Sequence, residues 1–534
     1  MVRKLPIGIQ DFEKLRTRNF VYVDKTAYVY KLAAEDNPYF LGRPRRFGKS
    51  LLLSTFKAYF EGKRTLFEAT GDQRTAVTQP KLAIADLEKD WISYPVFHLD
   101  FNAEQYDVDI KGLMSGISSN LRPLEERWGK DISEDSPAAR LKGLISRAYE
   151  KTGKKVVVLV DEYDKPLIQT MDNEKLQTEI RGVLKSFYGV LKAADAMLRF
   201  VFLTGVTKFS QVSIFSDLNQ LRDISMDTAY AGVCGISASE LTGAFKPELE
   251  LLSEKINMTY EQTVEEMQKR YNGYHFAENS EGIFNPFSVL NTFANGKLQF
   301  YWFQTGTPTF LVETLKKNDF DLRELSEGIS IPAVSINDYR AGGSNITPLL
   351  YQTGYLTIKS YDPELNWYTL GFPNEEVEYG FLNELLPLYA PQKPYDQDFF
   401  IGNFFKDLRD GNIDAFMNRL KAFIANIPYD LKYETEKYFQ NIFYLVFTLM
   451  GQYTRAEVRS AKGRADMVVG AKDTVYVFEF KIAEGDLDTL VEAALRQIDD
   501  KGYLIPYTAG GKKLVKIGAV FNTADRTLGK WKAI

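Results

Sequence analysis

The sequence predicts an α/β protein with more than one domain. Its 534 residues are too many for a single hydrophobic core. Residues 1–240 alternate apolar strands with helical stretches, as in a parallel α/β sheet, and a second α/β pattern begins after residue 430. Between them the chain is mainly helical, with a helix entering a hairpin at residues 349–358. We therefore predict domains at residues 1–240, 241–425 and 426–534, the middle one a helical, winged-helix-like connector.

Short apolar runs give the predicted strands of both α/β domains. In the first domain they lie at residues 39–41, 94–101, 156–160 and 200–203. The third run, Val156 to Val160, is continuously apolar, which is typical of a strand buried on both faces of a sheet. In the last domain we predict helices at 434–450 and 487–500, and strands near 465–469, 475–481 and 515–521.

Composition excludes several classes of protein and of site. No apolar run is long enough for a membrane span, and no apolar segment follows the charged N-terminus, so we expect a cytoplasmic protein without a membrane partner. The single cysteine, Cys234, excludes a disulfide within the chain and a thiolate zinc cluster. His98 and His275 share no metal-ligand spacing, so any metal should have oxygen ligands.

A phosphate-binding loop is predicted between the first strand and the helix after it. Gly48-Lys49-Ser50 matches the end of a P-loop, in which backbone N–H groups cradle phosphates, Lys reaches the β and γ phosphates and Ser ligates Mg²⁺. The first glycine of the pattern is replaced by Arg43. An accidental Gly-Lys-Ser or a solvated basic loop would be the plain alternative. The residues predicted to bind nucleotide here are Arg43, Arg45, Arg46, Phe47, Gly48, Lys49, Ser50 and Leu51.

The acidic pair Asp161-Glu162 follows the most apolar strand directly, as in a Walker B motif. An Asp at the carboxyl end of a strand can hold Mg²⁺, and the Glu beside it can activate water. Thr204 ends the next predicted strand, where such ATPases place a residue that senses the γ-phosphate. A turn-forming Thr-Gly and a solvated acidic loop are the alternatives.

A second candidate site lies in the last domain. Asp466 begins one predicted strand, and Glu479 and Lys481 alternate on one face of the next. Two carboxylates and a lysine there could hold Mg²⁺ or Mn²⁺ and activate water for phosphodiester cleavage. Glu436 and Gln497, on flanking helices, are predicted auxiliaries. A Glu–Lys pair on a surface strand is the alternative.

Taken together, these segments resemble a bacterial family that joins an AAA-ATPase-like domain to a PD-(D/E)xK-superfamily nuclease domain. The resemblance runs over nearly the whole chain. It rests on the residues at 5–12, 22–26, 43–50, 161–164, 301–308, 463–466 and 479–481. It implies an ATP site, a restriction-endonuclease-like C-terminal domain with Asp466, Glu479 and Lys481 as its core, and Arg43 as the family's usual replacement for glycine. The arrangement also resembles STAND-type ATPase switches.

Two functions are expected on this basis, and a third option is an interaction protein in which neither site is active. The first is an ATP-regulated, metal-dependent nuclease that acts on DNA or RNA, in which Glu162 activates water in the ATPase. The second is a nucleotide switch or scaffold that could form a homo-oligomer. Its last domain would bind nucleic acid or partner proteins without cleaving them. The formal net charge of −5 motivates the second, because it gives no general affinity for nucleic acid.

Overall fold

The structure is a computed structural model of the chain. It describes residues 3–35, 37–71, 78–102, 104–171, 173–208, 221–305, 315, 320–336, 345–390, 397–425, 436–451, 466–471, 473–483, 485–522 and 527–534. By packing, the chain forms two compact units. Unit 1 comprises Met1–Gly306 and Leu325–Glu378, and unit 2 comprises Thr307–Glu324 and Tyr379–Ile534. Residues 379–425, assigned above to a connector, thus pack within unit 2, and the division into three domains stays a prediction.

Helices and strands alternate along the chain. Up to residue 244 they are α1 (Phe12–Thr17), α2 (Thr26–Ala34), β1 (Pro38–Gly42), α3 (Lys49–Phe60), β2 (Thr70–Gly71), β3 (Thr78–Gln79), α4 (Ile84–Leu87), β4 (Val96–Asp100), α5 (Ile110–Trp128), α6 (Pro137–Thr152), β5 (Val156–Asp161), α7 (Lys165–Ile168), α8 (Glu174–Ala193), β6 (Leu198–Gly205), β7 (Arg222–Asp223) and α9 (Ala238–Ala244). The others are α10 (Lys246–Ile256), α11 (Tyr260–Tyr271), α12 (Pro286–Asn295), α13 (Arg323–Glu327), β8 (Ile329–Pro332), α14 (Thr347–Thr353), β9 (Thr357–Asp362), β10 (Trp367–Gly371), α15 (Glu375–Tyr389), α16 (Gln397–Arg409), α17 (Ile413–Ala425), α18 (Glu436–Met450), β11 (Met467–Gly470), β12 (Thr474–Ala483), α19 (Leu487–Asp500), β13 (Lys513–Asn522) and β14 (Thr527–Ala533). Among the described residues, no helix combines the length and the apolar character that crossing a membrane would require.

Unit 1 is built on a parallel sheet of five strands. Their order is β4-β5-β6-β1-β7, and each neighbouring pair runs parallel. The four strands predicted from sequence are therefore confirmed, and every residue of β5 is buried. Because β6 lies between β1 and β5, the residue that ends β6 stands between the phosphate-binding loop and the acidic motif.

The rest of unit 1 carries an apolar cluster and a small antiparallel sheet. Helices α9 to α12 share a buried cluster that includes Leu241, Leu249, Met267 and Phe293. The predicted helix and hairpin are present as α14, β9 and β10, and β8 adds a third strand in the order β8-β10-β9.

A buried carboxylate, Glu376, ties this part of unit 1 together. One of its oxygens accepts hydrogen bonds from the N–H groups of Tyr301 (2.6 Å) and Trp302 (3.0 Å). The other accepts from the Ser288 hydroxyl at 2.6 Å. Burial raises the pKa of Glu376 to about 7, although these three donors favour the charged form. The side chain of Trp302 in turn donates from Nε1 to the Arg45 carbonyl oxygen at 3.4 Å.

Glu376→Gln should remove a pH dependence of stability. Folding raises the pKa of Glu376 from an ordinary 4.5 to about 7, so its contribution is fully present below pH 4.5 and is lost as the pH rises to about 7. Glu376 alone should account for a fall of about 3 kcal/mol in the free energy of unfolding of the wild type across that window, in addition to the contributions of Asp164 and Glu479, whose pKa values folding also raises. The variant, whose amide can serve the same three partners, should lack this loss. Denaturant unfolding at pH 5 and pH 8 measures it.

Glu375→Gln is the matched control, because Glu375 pairs at the surface with Lys269. It should keep the pH dependence of the wild type. If the Glu376 variant kept the full pH dependence of the wild type, Glu376 would not titrate in this range.

Unit 2 is built on a mixed sheet in the order β11-β12-β13-β14. Only the β12–β13 pair is parallel. Helix α18 packs on one face of β12, where Phe443 lies 4.9 Å from Phe480 between ring centroids. Helix α19 covers the other face and approaches closely at Gly518, where a Cβ would lie 2.8 Å from the Val491 carbonyl oxygen. The predicted helices and strands are present here, and β14 is an additional edge strand.

Candidate functional site

The phosphate-binding loop runs from the end of β1 to the first turn of α3. Gly48 caps the helix in the left-handed region, at φ 95°, a conformation that glycine adopts without strain. The first intrahelical bond is donated by Leu52 to the Gly48 carbonyl. The N–H groups of Lys49, Ser50 and Leu51 precede it, so helix geometry leaves them available to an anion.

Lys49 connects this loop with the acidic motif at the end of β5. Its side chain is buried, and Nζ donates to the carbonyl oxygens of Arg43 at 3.0 Å and Pro44 at 3.3 Å. The same Nζ lies 3.8 Å from Glu162 Oε1. An anion bound in the loop would compete with these oxygens for the ammonium group.

Asp161 and Thr204 meet at the carboxyl ends of neighbouring strands. The Thr204 hydroxyl donates to Asp161 Oδ1 at 2.7 Å, and both side chains are buried. Glu162 follows in a left-handed conformation, at φ 53°, which is uncommon for a residue with a side chain and concentrates at functional sites. The structure therefore brings together Lys49, Asp161, Glu162 and Thr204, as the sequence predicted.

Asp164 lies in the segment 161–164 on which the family resemblance rests, but the sequence alone predicts no role for it. It is fully buried, and its Oδ2 accepts from the N–H groups of Val206 and Thr207 and from the Thr207 hydroxyl, at 2.6–2.9 Å. Burial and the charge of Glu162 raise its pKa. Asp164 therefore fixes the chain that leaves β6, and its place in the acidic motif was the available signal.

A cavity of about 520 Å³ opens beside the loop, within the size range of small-molecule sites. Polar side chains line one part, namely Lys25, Arg45, Arg46, Lys49, Ser50, Asn102, Glu162, Lys165 and Gln169. The remaining wall is largely apolar and includes residues 6–10, 21–23, 233–236 and 286–287, with Leu15, Leu52, Ile168, Phe245 and Leu290. The sequence alone predicts no role in the site for residues 6–10, and the only signal is that the family resemblance includes the segment 5–12.

Arg43 does not face this cavity, contrary to its predicted place among the nucleotide-binding residues. Its guanidinium is buried and donates to the carbonyl oxygens of Gly42, Ser225 and Tyr230, over the ring of Phe276. Arg43 thus stabilises the loop through hydrogen bonds to backbone carbonyl oxygens and does not contact the cavity. Arg45, Arg46 and Leu51 do line the cavity.

Phe47 also supports the loop. Its ring packs against those of Tyr274 and Phe276, with centroids 4.7 and 5.3 Å away. These residues belong to the segment after α11, so the loop rests on the later part of unit 1. Phe47 lines the cavity as well.

The second site lies on the α19 side of the unit 2 sheet. Register places Phe478 opposite Met467, so Asp466 stands beside Glu479, and its Oδ2 accepts from the Phe480 N–H at 2.7 Å. Lys481 Nζ lies 3.4 Å from Glu479 Oε1 and donates to Gln497 Oε1 at 2.5 Å. Gln497 Nε2 donates to the same Glu479 oxygen. Four of the predicted residues therefore converge here.

The electrostatics of this cluster favour binding of a cation. Burial, and next the charge of Asp466, raise the pKa of Glu479 to about 7, while Lys481 lowers it in part. Loss of hydration also raises the pKa of Asp466. Glu479 Oε2 is buried without a hydrogen-bond partner of normal geometry among the described residues, although the nearby Asp466 N–H favours the charged form of the carboxyl group. An unpartnered carboxylate oxygen next to a second carboxylate fits an oxygen-ligated divalent metal.

The other predicted residues of this site are described only in part. Glu436 begins α18, and its side chain lies outside the described residues, as do Gly463, Arg464 and Ala465. Sequence reasoning missed Arg323, whose charge lowers the pKa of Asp466. Asp321 holds that guanidinium through Nε at 2.9 Å and Nη2 at 2.7 Å.

Comparison with known proteins matches a segment of each unit to a family. Residues 6–215 match the family described as AAA-ATPase_like, predicted AAA-ATPase, and residues 434–531 match the PD-(D/E)XK nuclease superfamily. A protein of Azotobacter chroococcum mcd 1, called "Uncharacterized protein in vnfD 5'region", is 35% identical over 538 residues, covering 98% of each chain. The chain therefore belongs to the family of proteins that join an AAA-ATPase-like domain to a PD-(D/E)XK nuclease superfamily domain.

Proposed function

We propose that the protein binds and hydrolyses ATP in unit 1, and that the nucleotide controls metal-dependent cleavage of DNA or RNA in unit 2. The main support for nucleic-acid cleavage in unit 2 is a cluster of four side chains around a buried, unpartnered carboxylate oxygen. These side chains belong to Asp466, Glu479, Lys481 and Gln497. In an ordinary Glu–Lys ion pair on an exposed strand, that oxygen would be in contact with water.

The ATPase roles follow from position. The N–H groups at the start of α3 and the Lys49 ammonium would bind the phosphates. Ser50 and Asp161 would hold Mg²⁺, and Thr204 orients Asp161 through its 2.7 Å hydrogen bond. Glu162, at the cavity wall, would accept a proton from the attacking water.

In unit 2, Asp466 and Glu479 would hold Mg²⁺ or Mn²⁺. A bound divalent metal lowers the pKa of its water and offsets charge on the scissile phosphate. Lys481 would place its ammonium on that phosphate or on the nucleophile. Gln497 holds the Lys481 and Glu479 side chains close together by hydrogen bonding to both.

Binding of metal at this cluster can be tested apart from catalysis. Millimolar Mn²⁺ should raise the thermal midpoint of unit 2, since a ligand that binds only the folded state stabilises it. Asp466→Asn and Glu479→Gln should abolish the increase. Asp499→Asn, which removes an exposed carboxylate paired with Lys516, should keep it. An equal increase in all four proteins would place the metal elsewhere.

Cleavage itself is tested on panels of DNA and RNA with Mg²⁺ or Mn²⁺. Wild type should cut at least one substrate, and chelation of the metal should stop the reaction. If no DNA or RNA substrate is cut in the presence of metal, with or without ATP, the proposed nuclease function is wrong.

The second candidate is a nucleotide switch or scaffold whose unit 2 binds nucleic acid or a partner without cutting. The formal net charge of −5 favours it, because the surface as a whole does not attract a polyanion. In that case Lys49→Ala would change self-association or partner binding, whereas Glu479→Ala would leave function intact.

A further inference from the structure

Lys165, the first residue of α7, lies at the nucleotide cavity but has no role in the family motifs described above. It lines the same cavity wall as Lys49, Arg45 and Glu162. Its ammonium is held in place by Asn102, with Nζ donating to the Asn102 carbonyl oxygen and, at 3.1 Å, to Oδ1.

The sheet order places Lys165 and Lys49 on opposite sides of Glu162. Lys49 is bonded to the loop that follows β1, and Asn102 follows β4. In the order β4-β5-β6-β1, the acidic motif at the end of β5 lies between those two strands. The ammonium groups of Lys49 and Lys165 therefore flank the Glu162 carboxylate, which faces the cavity.

The surroundings of Lys165 suit an anionic ligand with several charges. Burial lowers its pKa, the charges of Glu162 and Asp100 oppose this, and Arg45 adds to it. Cations that converge on one cavity repel one another until an anion binds between them. A nucleoside triphosphate with its terminal phosphate near Glu162 provides that anion.

We propose that Lys165 is a catalytic residue that contacts the terminal phosphate of the nucleotide from within the same chain. This rests on the proposed ATPase function. In hydrolysis the water oxygen bonds to the γ-phosphorus, the bond to the β–γ bridging oxygen breaks, and ADP leaves with the electron pair. The water proton passes to Glu162 and then to phosphate. Lys165 stabilises the charge that develops on the γ-phosphate oxygens, as an arginine finger does in other ATPases.

The test compares Lys165→Met and Lys165→Arg with Lys154→Met. Lys154 also donates to a backbone carbonyl, that of Ser93 at 2.8 Å, but it does not line the cavity. We expect Lys165→Met to lower kcat for ATP hydrolysis about 100- to 1,000-fold and to change the Kd for ATP by less than about tenfold. Lys165→Arg should recover part of kcat, and Lys154→Met should resemble wild type. Wild-type specific activity should not depend on protein concentration, because the cation comes from the same chain.

Three results would overturn the inference. The first is Lys165→Met hydrolysis within about threefold of wild type. The second is a loss of ATP affinity as large as the loss of kcat/KM, which would make Lys165 a ground-state binder. The third is Lys165→Arg, folded by its unfolding transition, with no more activity than the methionine variant. If wild type itself binds ATP but does not hydrolyse it, the proposed ATPase function fails, and the inference with it.

Discussion

Lys481→Ala should lower phosphodiester cleavage about 100- to 1,000-fold. The ammonium of Lys481 is the cation that the structure places against Glu479, 3.4 Å from Oε1, and Gln497 orients it. Alanine removes the charge that would act on the scissile phosphate or the nucleophile. Single-turnover cleavage with Mn²⁺ in excess measures the effect without product release.

Lys516→Ala is the matched control. Lys516 lies on β13, the neighbouring parallel strand, and pairs with Asp499 outside the cluster. It should cleave at the wild-type rate. Wild-type activity in Lys481→Ala would contradict the assignment of the cluster as the cleavage site.

Glu162→Gln should lower ATP hydrolysis by about 100- to 10,000-fold, the range for loss of a positioned general base. Glutamine has the same shape and can keep the left-handed backbone at this position, but it cannot take a proton from water. Affinity for ATP should be kept or increased, because Lys49 loses the negative charge of the carboxylate whose oxygen lies 3.8 Å away. Phosphate release and direct ATP binding, measured on the same preparation, separate the two effects.

The control for this variant is Glu150→Gln, an exposed position on α6 outside the cavity. It should hydrolyse ATP as wild type does. If Glu162→Gln hydrolysed equally well, another group would have to accept the proton.

Local sequence patterns predicted much of the fold and most of the second site. The apolar run at residues 156–160 predicted a fully buried strand, and each of its residues is buried. Alternation along β12 placed Glu479 and Lys481 on one face, and the phenylalanines beside them pack on the other. Both results depend on the backbone geometry of a strand, which sequence periodicity reports directly.

Other features depend on contacts between distant segments, which no local pattern encodes. Residues 6–10 lie far from Lys49 in sequence, yet they line the same cavity. Arg43 lies in the loop, but its guanidinium donates to carbonyl oxygens of Ser225 and Tyr230, nearly two hundred residues later in the sequence. The edge strand β14 was missed because Lys530 and Lys532 interrupt its apolar character, as is common at sheet edges.

The central claim is that nucleotide bound in unit 1 controls cleavage in unit 2. The most direct measurement is the cleavage rate with and without ATP, in wild type and in Lys49→Ala. ATP should change the wild-type rate by about 5- to 150-fold, the usual range for coupled sites, and should have no effect on the variant. Equal rates with and without ATP in a wild-type protein that binds ATP and cleaves nucleic acid would contradict this control.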